Sequence, residues 1–358
     1  MLGSIAWRTP PRDYGPWERV AGLIAAGLHE RGVDVTLFAT LDSITPARLD
    51  GVIAQGYSEQ EGTDGRIWEA LHVSHAFARS DEFDVIHNHL DWLPLAFEGH
   101  ARAPLVTTVH GFSNAAILPA FQRARSALVS ISFADRAPGL SYAANVYHGV
   151  DESELPFDSA GGDALAFFGR IHPDKGTATA IEIAAQAGRR LVICGIVQDR
   201  AYYRECVEPH VDGDRVTYLG AVGPRRRAEI LGSSLALLHP IAFAEPFGLS
   251  VVEAMMCGTP TIAFELGSMS EIIDHGTTGF LASDVADAVS MVERASALDR
   301  ATCRRVAERR FSATRMIDDY ITVYHDATSR AAAGELQAGA IAALRTCSSS
   351  PPSRTDVC

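Results

Sequence analysis

The sequence predicts an α/β fold of two doubly wound lobes, each a parallel sheet covered by helices on both faces, with a cleft between them. Three features of the 358 residues carry that reading. Short apolar runs alternate with longer amphipathic stretches along most of the chain. No two apolar runs are joined by a tight hairpin turn, so the strands are expected to pair in parallel through crossover helices. The alternation is interrupted once, by the polar stretch 149–163 with Pro156 and Gly161-Gly162, in a chain too long for one ordinary core.

In chain order, residues 33–38, 84–87, 105–109 and 127–131 read as buried strands of the first lobe. Residues 17–31 read as a helix with Val20, Leu23, Ile24 and Leu28 on one face, ended by Gly32. In the second lobe, residues 164–168, 190–194, 216–219, 235–239 and 261–264 read as strands. Residues 177–187, 224–231, 247–257 and 285–297 read as helices. The first lobe is assigned to 1–148 and the second to 149–310. Met1 falls inside the first, central strand, so a start upstream is expected. Little order is expected in the Ala-, Ser- and Pro-rich tail 330–358.

Composition narrows the function classes. Apolar residues make up 47%, enough for two cores. With 31 Lys plus Arg against 44 Asp plus Glu, the formal charge of −13 offers no field for nucleic acid. Arg225-Arg226-Arg227 reads as a solvated helix start. Six cysteines without a CxxC pair suggest reduced thiols and a cytoplasmic protein, with no disulfide frame or zinc site. No apolar run is long enough for a signal peptide or a membrane span, so membrane contact is expected to be peripheral at most.

Six segments carry candidate motifs. In Glu245-Pro246-Phe247-Gly248-Leu249, Pro246 is expected at the first helical position. The amides of Phe247, Gly248 and Leu249 would then point out of the helix start and, with the helix dipole, form an anion site suited to a diphosphate. Glu245 stands beside that site, and Glu253, deeper in the helix, can accept from a ribose diol. The alternative is a capped helix with two surface glutamates. In Gly169-Arg170-Ile171-His172-Pro173-Asp174-Lys175, two cations beyond a strand can grip phosphates and neutralise a leaving diphosphate; the plain alternative is surface salt-bridging. His110, at the end of a first-lobe strand, either faces the cleft or bonds to backbone. His87 and His89 form an HxH that can ligate a metal, with no further cluster to complete a site. The loop 4–17 holds Gly15, whose backbone is expected near the ligands. Asp212-Gly213-Asp214 resembles a DxD metal motif but precedes a strand, and reads as a turn.

Glu245 and Glu253, with seven residues between them, match the E-x7-E pattern, and the chain resembles the family 4 retaining glycosyltransferases (glycosyl transferases group 1) over roughly residues 1–329. Phe168-Gly169-Arg170 with Lys175-Gly176, Gly258-Thr259-Pro260 and Thr278-Gly279-Phe280 are similar to further signatures of that family. His148-Gly149-Val150-Asp151 stands where it has Asn-Gly-Val-Asp. The resemblance implies the GT-B fold, two Rossmann-like domains, with the segment 311–329 crossing back to the first. It implies that Arg170 and Lys175 bind the donor diphosphate, that Glu245 with the Phe247-Gly248-Leu249 backbone holds sugar and phosphate, that Glu253 holds the ribose, and that His110 contacts the transferred sugar. It further implies retention of configuration, with no metal and no cofactor beyond the nucleotide-sugar co-substrate. The first loop departs from the family, Gly15 being followed by Pro16 instead of a second glycine.

The leading expectation is therefore transfer of a hexose from a nucleotide-diphosphate sugar to a hydroxyl of a small-molecule, lipid or glycan acceptor. The competing expectations are a nucleotide-sugar epimerase or phosphorylase on the same plan, a non-catalytic nucleotide-sugar binder, and a metal hydrolase built on His87, His89 and His110.

Overall fold

The computed structural model describes residues 1–12, 15–111 and 116–334. Its strands are short and apolar. In the first lobe they are β1 (Thr36–Phe38), β2 (Arg48–Asp50), β3 (Ile86–Asn88), β4 (Leu105–Val109), β5 (Ala127–Ser130) and β6 (Ala144–Asn145). Every pairing is parallel, as the missing hairpin signals predict. Leu2 bridges Phe38 on one side and Asn88 on the other, so the N-terminal residues lie in the middle of the sheet. The order across it is β2-β1-Leu2-β3-β4-β5-β6.

The second lobe contains β7 (Leu165–Phe168), β8 (Leu191–Cys194), β9 (Val216–Tyr218), β10 (Ala236–His239), β11 (Thr261–Phe264) and β12 (Gly279–Ala282), in the order β12-β11-β10-β7-β8-β9. The pleat divides β7 between two cores. Leu165 and Phe167 pack with Ile181, Ile183 and Val292 on one face; Ala166 and Phe168 pack with Val251, Met255 and Phe311 on the other. The chain runs outward from β7 to β9, then returns to lay β10 along the other side of β7. That reversal opens a crevice beyond the carboxyl ends of β7 and β10, where such sheets bind ligands. The first lobe reverses in the same way between Leu2 and β3.

Sequence and structure differ at several ends. Strands are trimmed: the run 33–38 pairs only over β1, because Val33 and Asp34 are exposed before the chain enters the sheet. The strands β2 and β6 carry too few apolar residues in series to stand out; β12 and the helix Gly65–Ala78 are apolar enough, but are not among the predicted elements. The segment from Phe311 is two elements. Arg300–Phe311 closes one helix, Ser312 accepts from the Arg315 amide as the cap of the next, and Ala313–Ala332 follows. That last helix lays Met316, Ile317, Tyr320 and Val323 against Val20, Ile24 and Leu28 of the Pro16–Glu30 helix. It runs past Ser329 to Ala332: the docked face ends at Ala327, and the last turn, with Arg330 and Ala332 exposed, continues the backbone ladder that this face anchors. Residues 335–358 lie outside the described residues.

The chain crosses between lobes at two adjacent points. Val150 bridges Ser312 in parallel, with Val150 N donating to Phe311 O at 2.9 Å and Ala313 N to Val150 O at 3.0 Å. Among the described residues, no helix is long and apolar enough to cross a membrane.

Candidate active site

The carboxyl ends of both sheets open onto one cleft of about 1230 Å³. The loops after β7 and β10 supply its charged wall. Lys175 Nζ donates to Glu245 Oε2 at 2.5 Å and sits 4.5 Å above the Phe243 ring. His239 Nε2 lies 3.5 Å from the same carboxylate oxygen. Burial by itself would raise the Glu245 pKa, but contact with His239 and the Lys175 charge outweigh it and bring the group down to about 2. Arg170 lines the cleft, donating through Nη2 to Asp174 at 3.0 Å and through Nη1 to Gln198.

The helix after β10 runs over Leu249–Met256, not from Phe247. Pro246 therefore precedes the helix instead of opening it. The reason is Gly248, whose φ of 96° makes it the N-cap in a left-handed conformation, which only glycine adopts freely. The open amides of the first turn thus start at Leu249 and Ser250, both of which line the cleft with Phe247 and Gly248. The Phe247 ring itself faces away, packed 5.1 Å from His148 and 6.0 Å from Phe311.

Both glutamates are buried, so the surface-glutamate alternative fails. Glu253 is 1% exposed. Arg227 Nη1 donates to both of its oxygens, at 3.0 and 3.1 Å, and Arg19 Nη1 of the first lobe lies 3.2 Å away. Sequence reasoning missed both arginines. Arg225 and Arg226 are solvated, as expected, and pair with Glu229. Arg227 is not: it shares a helix face with Ile230 and Leu231, and that spacing was the available signal.

The first lobe contributes His110, 6% exposed, with its ring stacked on Trp17 at 5.2 Å between centroids. Next to it, Gly111 takes a φ of 105°, and a Cβ there would fall 2.4 Å from Pro246, so the two lobes touch at a point that excludes a side chain. Gly15 lines the cleft as the N-cap of the Pro16–Glu30 helix; Asp13 and Tyr14 of the same loop lie outside the described residues. His87 and His89 do not make a metal site. Their nitrogens bond to one another and to neighbours in a line instead of converging, and no group of three or more His, Cys, Asp or Glu among the described residues can hold a metal ion. Asp212 is a turn, its Oδ1 accepting from the amides of Asp214 and Val216.

Two family profiles match the lobes in turn: the family described as Glycosyltransferase Family 4 over residues 17–138, and Glycosyl transferases group 1 over residues 159–308. The chain belongs to the family 4, group 1 glycosyltransferases. N-acetyl-alpha-D-glucosaminyl L-malate synthase of Bacillus anthracis is 35% identical over 126 residues, 33% of this glycosyltransferase and 32% of that enzyme. D-inositol 3-phosphate glycosyltransferase of Mycolicibacterium smegmatis is 31% identical over 208 residues, 54% of this chain and 45% of the relative. The chain thus spans less than half the length of these two curated relatives. Among solved structures, AviGT4, a glycosyltransferase involved in avilamycin A biosynthesis, superposes with a TM-score of 0.71 at 24% identity, over 90% of this chain and 93% of that one. HepE of Anabaena, solved with UDP and glucose, gives 0.70 at 19% identity, over 87% and 96%. These superpositions establish the two-domain GT-B fold for this glycosyltransferase.

Proposed function

We propose that this glycosyltransferase moves a hexose from a nucleoside diphosphate sugar to an acceptor hydroxyl with retention of configuration. The observation that carries the proposal is the wall formed at the β7/β10 reversal: Arg170 and Lys175 on one side, and the open turn at Leu249 and Ser250 on the other, with Glu245 between them. A diphosphate seated there meets two cations and a helix N-terminus. Lys175, now held by Glu245, turns to the phosphates as charge builds on the leaving group. Glu245 is left to accept from a sugar hydroxyl. Glu253 accepts from the ribose diol where Arg19 now sits, while Arg227 keeps the carboxylate in place. His110 meets the sugar from the first lobe.

In the transfer, the bond between the anomeric carbon and the diphosphate oxygen breaks. The acceptor oxygen attacks on the same face, and its proton passes to the departing phosphate oxygen. The two cations supply the charge compensation, so the proposal needs no metal ion and no cofactor beyond the donor. The acceptor enters from the first-lobe side, where Trp7, Ile44 and Trp92 line the cleft. The chain works as a cytoplasmic protein.

A thermal-shift panel of UDP, GDP, ADP and TDP sugars, starting with UDP-glucose, tests donor binding; ligand at about 100 times its Kd adds about 2.7 kcal/mol. Lys175→Ala and Arg170→Ala are each expected to cut transfer by at least ~100-fold. Near-normal turnover in either variant removes the phosphate-grip role, and an inverted anomer in the product spectrum removes retention.

A further inference from the structure

Behind His110, a row of side chains that touches neither donor nor acceptor runs through the first lobe to the last helix. His110 Nε2 lies 2.9 Å from His89 Nδ1, and His89 Nε2 lies 3.2 Å from His87 Nδ1. His87 Nδ1 is 2.7 Å from the Tyr324 hydroxyl. His87 Nε2 is 2.7 Å from Thr108 Oγ1, which in turn is 2.6 Å from the Tyr320 hydroxyl. The row is dry: His87, His89, Thr108 and Tyr320 are each at most 2% exposed. Burial holds the imidazoles neutral, His110 falling to about 3 and the other two well below their ordinary range.

A neutral imidazole donates from one nitrogen and accepts at the other. Two such rings in series therefore pass the direction of a hydrogen bond from end to end. In one direction, Tyr324 O–H and His89 Nε2–H both point at the His87 Nδ1 lone pair. His110 Nε2–H then donates to His89, and His110 Nδ1 presents a lone pair. His87 Nε2–H donates to Thr108, Thr108 donates to Tyr320, and the Tyr320 hydrogen is left without an acceptor in the row. In the other direction, Tyr320 donates to Thr108, Thr108 to His87 Nε2, His87 Nδ1–H is shared by Tyr324 and His89, and His89 Nδ1–H donates to His110 Nε2. His110 Nδ1 then carries a hydrogen, and the Tyr324 hydrogen is the one left over. Each direction strands one phenol hydrogen, that of the fully buried Tyr320 in the first and that of the partly buried Tyr324 in the second.

His110 Nε2 is spent on His89, and Nδ1 is the nitrogen left for the cleft. We propose that His87 and His89 form a tautomer relay through which Tyr324, on the last helix, helps set whether His110 Nδ1 meets a ligand hydroxyl as acceptor or as donor. His87, His89 and Tyr324 are positioning residues in this account. Its bearing on turnover rests on the transferase reading, in which a sugar hydroxyl that both donates and accepts selects one direction on binding. His148, whose ring lies 5.2 Å from that of His110, makes only a ring contact and stands outside the relay.

Tyr324→Phe tests the relay with nearly unchanged volume. Without the Tyr324 phenol, the first direction still strands the Tyr320 hydrogen, whereas the second strands none. The variant is therefore expected to settle with the hydrogen on His110 Nδ1. Long-range 1H–15N correlation spectra of 15N-histidine-labelled full-length protein, without ligand, read this as a shift of His110 Nδ1 toward the protonated range. His89→Phe cuts the relay, so Tyr324→Phe added to it is expected to leave His110 as in His89→Phe alone. Should Tyr324→Phe fail to fold, Tyr324→Leu carries the same expectation. The same His110 tautomer in wild type, in the Tyr324 variant and in His89→Phe overturns the relay. The spectra need no donor, so this result and the thermal-shift result with nucleotide sugars stand or fall separately.

Discussion

Glu253 is held by two guanidinium groups, and one of them belongs to the opposite lobe. A carboxylate offers about four lone-pair positions, of which three are taken, so a ribose diol gains its place by displacing Arg19 and not Arg227. Glu253→Gln is accordingly expected to raise the donor KM about tenfold or more with little change in kcat; an unchanged KM contradicts the ribose role. Glu245 lends itself to a measurement without substrate. Its folded-state pKa of about 2 lies below the ordinary 4.5. The ionised form therefore stabilises the fold above pH 4.5, and that contribution is lost as pH falls from 4.5 toward 2. At 1.36 kcal/mol per unit, the full difference is about 3 kcal/mol. The stability gap between wild type and Glu245→Gln should narrow through that window in urea unfolding; a gap that stays flat between pH 6 and 3 contradicts it.

The helix Leu249–Met256 depends on Gly248 for its entry. Gly248→Ala puts a Cβ on a left-handed residue, 2.7 Å from Met269 Cε. A flexible methionine can move aside, so the conformational term of about 1–2 kcal/mol dominates. Loss of that much stability, with a proportionally larger loss of donor affinity as the first turn tilts, is the expected result in paired melting and binding assays. At this scale the sequence was readable wherever apolar residues ran in series: β4 and β11 have the bounds their patterns predict. It was less readable where a partner decides the outcome. Leu2 is a strand residue because β1 and β3 flank it, and the last helix forms because Met316 to Ala327 pack on the Pro16–Glu30 helix, its largely exposed end 330–332 following as the last turn. In the site, Glu245, Lys175 and Arg170 were legible because cations and carboxylates beyond strand ends are conspicuous. Arg19 and Arg227 were not, since their partner Glu253 is distant in sequence and only folding brings them together.

For the whole molecule, Arg19 ties the lobes twice, to Glu253 at 3.2 Å and to Glu154 at 3.1 Å. The Glu154 contact is half exposed and contributes less than about 1 kcal/mol, but it holds the two walls at one separation. Arg19→Ala is expected to widen the free protein, seen as a larger radius of gyration in X-ray scattering, and to let nucleotide restore the compact form. Equal radii for variant and wild type without nucleotide would show that the tie does not set the opening.

The paired crossing at Val150 and Ser312 has a consequence for how such a chain is assembled. Everything from 151 to 311 leaves and re-enters the first lobe through neighbouring residues, so the second lobe is topologically an insertion, with its two ends already side by side. A gene for that stretch alone encodes a sheet whose six strands are all present. Conversely, a short linker from Gly149 to Ala313 rejoins the first lobe to its last helix without stretching either. Two halves that share one cleft are thus joined covalently along a seam two peptides wide, beside the side-chain ties between them.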